Sequence, residues 1–397
     1  MTAPVAFTRP TYNDNDTLDA AAFNAVAAAS ATVRDATDAL EGVVQLAGDL
    51  AGVAAAPTVK TTLISSFMRT VTAAASAAAA RNLLGVNGFA NRLDNPAFEV
   101  CQRTATTAPV SQRTYLPDRW FITPSGNAVS ISIASAAPSV NSRYSLQIEG
   151  AASVTTVEIA QRLTAQRVAA GLATTVTFSA GIYNNTGAAF TPSLLVRCPT
   201  AADTWASSNT RLTQVLASCA DGAWTTVSHS FDVSGLTDYA NGLEIAIQFP
   251  SGLLVASKIV KLGEPSLTPG STAAPFETLP YPLELARCQY HYERINFNTT
   301  TAPLGLAINA SASTALAVAT VPLAQPKRAA PVISFSDLTK VRLNNNGNSL
   351  TPGGLGTCGI SNQNAFLTFN GLSVVAGAAY LIATDSNAVT LIVDAEL

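Results

Sequence analysis

From Asn95 onward the chain is written in short runs that alternate apolar and polar residues with a period of two. The clearest are VSISI (Val129, Ile131, Ile133), SLQIE (Leu146, Ile148), TVTFSAGI (Val176, Phe178, Ala180, Ile182), VSHSFDV (Val227, Phe231, Val233) and LEIAIQF (Leu243, Ile245, Ile247, Phe249). Successive side chains of a strand point to opposite faces, so each run buries one face and leaves the other polar. Turn-rich stretches such as NNTG and SCADGAW separate the runs, and no helical period intervenes. Several short strands with regular turn signals predict an antiparallel sandwich or jelly roll.

The pattern holds to residue 286. PYPLELARCQYHYERI then predicts a short helix from about Leu283 to Tyr292. Alternation resumes in ALAVATVPLAQPKRAAPVISFSDLTKVRL and AFLTFNGLSVVAGAAYLIATDSNAVTLIVDAEL, and the Asn/Gly-rich LNNNGNSLTPGGLGTCG between them reads as a long loop. Residues 93–286 are therefore expected to form one jelly-roll sandwich and residues 287–397 a smaller β-sandwich.

Residues 1–92 have a different texture. Asp16 or Thr17 is placed to cap a helix whose first turn carries Asp19, where the helix dipole favours negative charge. Ala22, Val26, Ala29, Val33, Ala36 and Leu40 then recur at alternating steps of four and three, the seam of a coiled coil. A single amphipathic helix on a globular neighbour would show the same short pattern. Gly42 closes this helix, VVQLAGDLAGVAAAP reads as a strand or turn with a linker, and a second helix is expected from about Thr58 to Leu84, with Gly85 at its C′ position. The expected fold class is mainly β: an N-terminal helical or coiled-coil region followed by two antiparallel sandwiches.

Charged residues make up 12% of the 397, about half the ~25% usual in soluble domains, and mean hydropathy is +0.26. A membrane-embedded chain would explain this, but no run of ~18 or more apolar residues exists. Burial of surface against further copies of the chain explains it better. A net charge of −3 leaves no electrostatic footprint for nucleic acid. MTAPVAFTRPTYND lacks the basic and apolar regions of a secretory signal, so none is expected. Five scattered cysteines and two histidines, with no CxxC pair, argue against zinc and for buried, reduced thiols. If any pair bridges, Cys198 and Cys219 flank one loop and are the choice.

Five stretches, in order, resemble the tail fibres and related receptor-binding proteins of bacteriophages and prophages. NRLDNPAFEVCQRTA…YLPDRWFI is similar to the start of their jelly-roll module, where an NPxF or NGxF turn, a QR and a DRW recur. ALEGVVQLAGDL resembles the shaft unit, SSFMRTVTAAASAAAARNLLGV the helix before the tip domains, APFETLPYPLELARCQYHYER the module's exit, and VPLAQPKRAAPVISF the final domain. The resemblance implies a homotrimer attached to a tail or baseplate protein through its N-terminal region. Its β domains would meet host polysaccharide or lipopolysaccharide, and the particle would be a virion assembled in the host cytoplasm, with no membrane insertion. A structural connector binding other virion proteins is the main alternative; a polysaccharide-degrading enzyme is a second.

In related carbohydrate-binding sandwiches an acid after the NGxF turn binds a structural calcium together with an Asp of the last strand. Glu99 holds the first position, but ASKIVKLGEPSL offers Lys258 and Lys261 and no Asp. Glu99 is thus the one metal candidate, its alternative a surface or hydrogen-bonded carboxylate, and no cofactor is expected.

Sugars are held by aromatic faces with polar neighbours, because pyranose rings present apolar patches between hydroxyls. Trp205, in the small-polar TAADTWASSNT read as a loop, is the leading ligand-facing candidate. Trp224 is a second, with packing as its alternative, whereas Trp120 reads as core and His229 shares the inward parity of Val227, Phe231 and Val233. Asn344, Asn345 and Asn346 would hydrogen-bond a glycan from the Asn-rich loop, or serve as a solvated tip. No GxSxG, HExxH, P-loop or dinucleotide fingerprint appears, and no carboxylate pair stands out for glycoside hydrolysis, so an enzyme is not expected.

Overall fold

A computed structural model describes residues 50–53, 56–59, 91–103, 109–169, 175–297, 304–309, 316–345, 348–356, 358–361, 364–384 and 389–397. The chain divides into two units, Met1–Val86 and Asn87–Leu397. The described part of the first is a hairpin, β1 (Leu50–Val53) antiparallel to β2 (Ala56–Val59). The expected coiled-coil helix and almost all of the second helix lie outside the described residues. Thr58, placed by the sequence at the second helix's start, is instead in β2 opposite Ala51, where β-branched Thr58 and Val59 favour the extended chain.

The second unit begins with β3 (Thr114–Tyr115), β4 (Phe121–Ser125), β5 (Ser130–Ala134), β6 (Ser145–Glu149) and β7 (Thr156–Thr164), then helix α1 (Ala165–Ala169). β8 (Thr175–Asn185), β9 (Ser193–Ala201), β10 (Thr204–Val215), β11 (Trp224–Asp232), β12 (Gly242–Phe249) and β13 (Ile259–Pro269) follow. They pair, all antiparallel, into a six-stranded sheet of order β10-β9-β12-β7-β4-β3 and a five-stranded sheet of order β11-β8-β13-β6-β5. The inward residues of the alternating runs, among them Ile131, Ile148, Phe178, Ile182, Val227, Ile245 and Phe249, join one buried core with Trp120 at its edge. This is the antiparallel sandwich that the period-two pattern predicts.

Helix α2 (Tyr281–Gln289) lies two residues earlier than expected at its start and stops three earlier, because Tyr292 already belongs to β14 (Tyr292–Phe297). β15 (Gly305–Ile308), β16 (Ala317–Pro322), β17 (Val332–Phe335), β18 (Val341–Asn345) and β19 (Asn348–Leu350) come next. β20 (Gly354–Leu355), β21 (Gly359–Ser361), β22 (Asn364–Asn370), β23 (Ala379–Thr384) and β24 (Val389–Asp394) complete the strands among the described residues. Three strands, β14-β24-β17, form one sheet; the other eight form a second, and a separate core of residues such as Phe297, Leu343, Phe369, Tyr380 and Leu391 lies between them. The Asn-rich segment read as a long loop is largely strand. Asn345 pairs with Asn348, and buried Leu343 anchors β18 against Ile382.

Residues 93–103 and 109–122 form a folded clasp at the edge of the sandwich. The Asn95 amide accepts from Val100 N (3.0 Å) and donates to Val100 O (2.7 Å) and Asp118 O (3.0 Å), closing the Asn-Pro-x-Phe turn on itself. Asn95 and Phe98 both have positive φ, which Asn tolerates through its short polar side chain. The Trp120 indole donates to Asp94 O (3.0 Å) and meets the Phe98 ring edge-on at 5.6 Å. Asp118 accepts from Gln102 Nε2 (2.7 Å), whose amide also donates to Tyr292 O (2.7 Å) in β14. The clasp therefore grips the segment that leaves the sandwich: Glu284 accepts from Asn95 N (2.6 Å), and Arg287 of α2 donates to Leu93 O (3.2 Å) and to the Asp94 carboxylate.

Candidate functional site

The outer face of the six-stranded sheet carries three rows of side chains that the register fixes, the middle one buried beneath Arg113, Arg162 and the C-terminal Leu397, whose carbonyl accepts from Tyr115 and Arg162. Its middle row is apolar: Tyr115, Phe121, Ala160, Ala246 and Leu195 lie side by side across β3, β4, β7, β12 and β9, apart from the main core. On one side runs Arg162–Glu244–Arg197–Thr210, and on the other Thr123–Glu158–Gln248–Ser193. The two alanines keep the floor low between longer polar side chains.

Those side chains are locked to one another. Arg162 donates to Glu244 (2.7 Å); Arg197 forks onto Glu158 (2.9 and 3.0 Å) and reaches Glu244 (2.8 Å); Gln248 donates to Glu158 (2.7 Å). Burial opposes the Arg197 charge, yet its hydrogen bonds to Glu158 and Glu244 outweigh this and raise its pKa. Such fixed donors and acceptors face a ligand without first having to be ordered. Glu158 and Arg197 keep a fifth of their side-chain surface exposed, whereas Arg162 and Glu244 are buried.

Trp205 closes one end of this face. The structure places it in β10, not in a loop: the turn ends at Asp203, whose positive φ reverses the chain, and Thr204 pairs with Ala201. Its ring lies over Gly242, where an added Cβ would come within 3.4 Å of it, and the Arg162 guanidinium stacks 4.5 Å from the ring centre. The half-buried indole has its N–H enclosed without a hydrogen-bond partner among the described residues.

The other sequence candidates are elsewhere. Trp224 starts β11 on the outer face of the five-stranded sheet, packed beside Pro138 over Gly181 and Gly263 and tilted onto Tyr183 at 5.5 Å. Asn344 and Asn345 lie on β18, Asn345 donating to Ala379 O (2.6 Å); Asn346 lies outside the described residues. Glu99 is half-buried, and Lys261 of the last sandwich strand stacks on Tyr183 (5.2 Å). Among the described residues no three His, Cys, Asp or Glu gather as a metal-ligand set, and no helix is long and apolar enough to cross a membrane. Trp120 is 1% exposed, His229 stacks on Phe231, and Cys198, Cys219, Cys288 and Cys358 are free thiols. The sequence reading missed the rows flanking the floor. Their signal lay in the outward parity of LEIAIQF and TVEIAQRLT, which presents Glu244, Ala246 and Gln248 beside Glu158, Ala160 and Arg162.

Comparison with known proteins matches residues 34–91 to a family described as "Repeat of unknown function (DUF5907)". No curated protein matches the chain. Among solved structures, the enzymatically active domain of tailspike protein 4 of bacteriophage CBA120 is similar at 11% identity and a TM-score of 0.32, over 46% of this chain and 22% of that one. The CBM22-2 xylan-binding domain of Paenibacillus barcinonensis is similar at 15% identity and a TM-score of 0.29, over 38% and 92%. The C-terminal family 22 carbohydrate-binding module of a Clostridium thermocellum protein is similar at 11% identity and a TM-score of 0.28, over 43% and 98%. The chain spans about a fifth of the tailspike domain's length.

Proposed function

We propose that the chain is a bacteriophage tail fibre or closely related tail-tip protein, which adheres to polysaccharide or lipopolysaccharide on the host surface without cleaving it. In this reading it is a homotrimer, joined to a tail or baseplate protein through residues 1–92 and assembled into the virion in the host cytoplasm. The observation that carries the adhesive role is the outer face of the six-stranded sheet: a half-buried tryptophan at its end beside fixed polar groups, Arg197 and Glu158 partly exposed, over a buried apolar row. A sugar ring offers the complementary pattern of C–H patches between hydroxyls. Several such weak contacts on three chains give avidity without one tight site. The order of the resembling stretches supports the tail-fibre assignment.

A second observation favours copies of the chain as partners. Leu306, Ile308, Val318 and Phe366 stand exposed on the outer face of the eight-stranded sheet, with Ile308 paired to Val318. Further copies covering this face would account for the low charge of the chain.

Binding of the full chain to host cells and to arrayed host polysaccharides tests adhesion. Saturable binding that free polysaccharide competes, and that Trp205→Ala weakens tenfold or more, is the expected result. Capture of tail proteins with no glycan bound would instead favour a structural connector, and release of oligosaccharide would favour an enzyme.

A further inference from the structure

Beside the clasp lies a cavity of about 660 Å3, within the range of small-ligand sites. It opens between the start of the sandwich and α2, so both ends of the module build its wall. Arg92, Asp94, Arg119, Arg167, Arg287 and His291 line it, with Leu283 and Tyr290 supplying an apolar flank. Leu283 is 52% exposed, so the flank reaches solvent.

Three guanidinium groups, Arg119, Arg167 and Arg287, address the single carboxylate of Asp94 at this wall. Arg119 is fully engaged, donating to Asp94, Glu396 and Arg162 O. Arg167 and Arg287 converge on the same oxygen, Asp94 Oδ1. Arg287 Nε is enclosed with no hydrogen-bond partner among the described residues, and Arg167 keeps a third of its side chain exposed. His291 is 4% exposed, and its Nδ1 likewise has no partner among the described residues. Burial and then the nearby Arg119 hold His291 well below its usual pKa, so at neutral pH it is an uncharged group with one N–H to give. Burial, opposed by Asp94, lowers the Arg167 pKa, and the neighbouring arginines add to this.

We propose that this cavity binds the oxyanion of an acidic saccharide, with Arg167, Arg287 and His291 donating to it and Leu283 and Tyr290 against the sugar ring. Guanidinium groups suit both planar carboxylates and phosphates, so the anion is either the carboxylate of a uronic-type sugar or a sugar phosphate. This deepens the adhesive reading and rests on it for its saccharide half, since it names the class of glycan the chain would prefer.

The test is calorimetric titration of the full chain with glucuronate, glucose 6-phosphate and methyl glucoside. The expected result is binding of at least one acidic probe and none of the neutral one; which acid binds tells carboxylate from phosphate. Leu283→Glu, a surface change at the mouth, is expected to weaken that binding at least tenfold, and Leu283→Gln less than threefold. Arg167→Gln is expected to weaken it tenfold in a chain that remains folded by circular dichroism, whereas Arg167→Lys, which keeps the charge, is expected to weaken it less. Failure of both acidic probes, equal binding of methyl glucoside, or indifference to Leu283→Glu and Arg167→Gln would overturn the proposal. Host-glycan binding that persists in Leu283→Glu would overturn the cavity's role while leaving adhesion intact. Acidic-probe binding by a chain that recognises no host glycan would do the reverse.

Discussion

Arg119 donates from Nη1 to the carboxylate of Glu396, a residue 277 positions further along the chain. Both are almost wholly enclosed, and the same guanidinium also holds Asp94. The Pro-Asp-Arg-Trp stretch thus fastens the first sandwich to the last residues of the C-terminal sheets. Removing one partner of a buried pair strands the other charge away from water. Glu396→Gln is expected to cost roughly 3–5 kcal/mol in urea unfolding, the figure for breaking a buried ion pair.

Asp94 is more demanding, since Arg119, Arg167 and Arg287 all address its carboxylate. Burial opposes its charge, but the three arginines prevail and hold it below the usual carboxylate range. Asp94→Asn is expected to be the most destabilising single isosteric change at the clasp. Equilibrium unfolding of the two variants side by side checks the ranking.

Asp118 behaves in the opposite way. Burial lifts its pKa to about 6, against the pull of Arg103 and the hydrogen bonds from Gln102. The folded state therefore binds a proton that the unfolded state, with a carboxylate near ~3.9, has already released. Stability from this group is greatest below pH ~4, falls as pH rises through the folded pKa, and is level above it. Asp118→Asn is expected to remove that decline, of order 3 kcal/mol. Unfolding free energies of both proteins between pH 4 and 7 give the difference directly.

The tryptophans separate packing from recognition. Trp120→Ala empties a site in the core and is expected to cost ~3–5 kcal/mol. Trp205→Ala removes a half-buried ring whose partners are Arg162 and Gly242. Its stability cost is expected to be under half of that, with the larger effect on glycan binding. Thermal melts and the binding assay, run on both variants, check this.

Gly150 sets a tight approach. A Cβ there would sit 2.1 Å from Leu254 O, a backbone atom that cannot swing aside. Gly150→Ala is expected to cost ~1–3 kcal/mol by overpacking, measured as a lowered urea midpoint.

The inward face of the sandwich was legible because Val129, Ile148, Phe178, Val227 and Ile245 advertise it by period two alone. β10 was not legible: it is an edge strand exposed on both faces, so ASSNT carries no alternation and reads as loop. β7 failed for the opposite reason. Ala160 and Arg162 on its outer face are as buried as Ile159 on its inner one, and the contrast disappears. The Asn-rich hairpin was obscured by composition, since Asn345 and Asn348 suit a turn as well as the strand ends they occupy. The motif residues of the clasp were recognisable as a set, but their purpose was not. Asp94 and Arg287 share no periodicity, and only the closed structure shows that each answers the other.

The distance along the chain between those partners sets a timetable for synthesis. Asp94 is made 193 residues before Arg287. At ~5–20 residues per second a ribosome needs roughly 10–40 s to supply the missing guanidinium. Until then the Asn-Pro-x-Phe turn has its internal bonds but not its grip on α2, and Asp94 has only Arg119 and Arg167 to answer it. The nascent sandwich waits with an open edge for α2, so the clasp is a late event, and a nascent chain released before residue 287 would lack it.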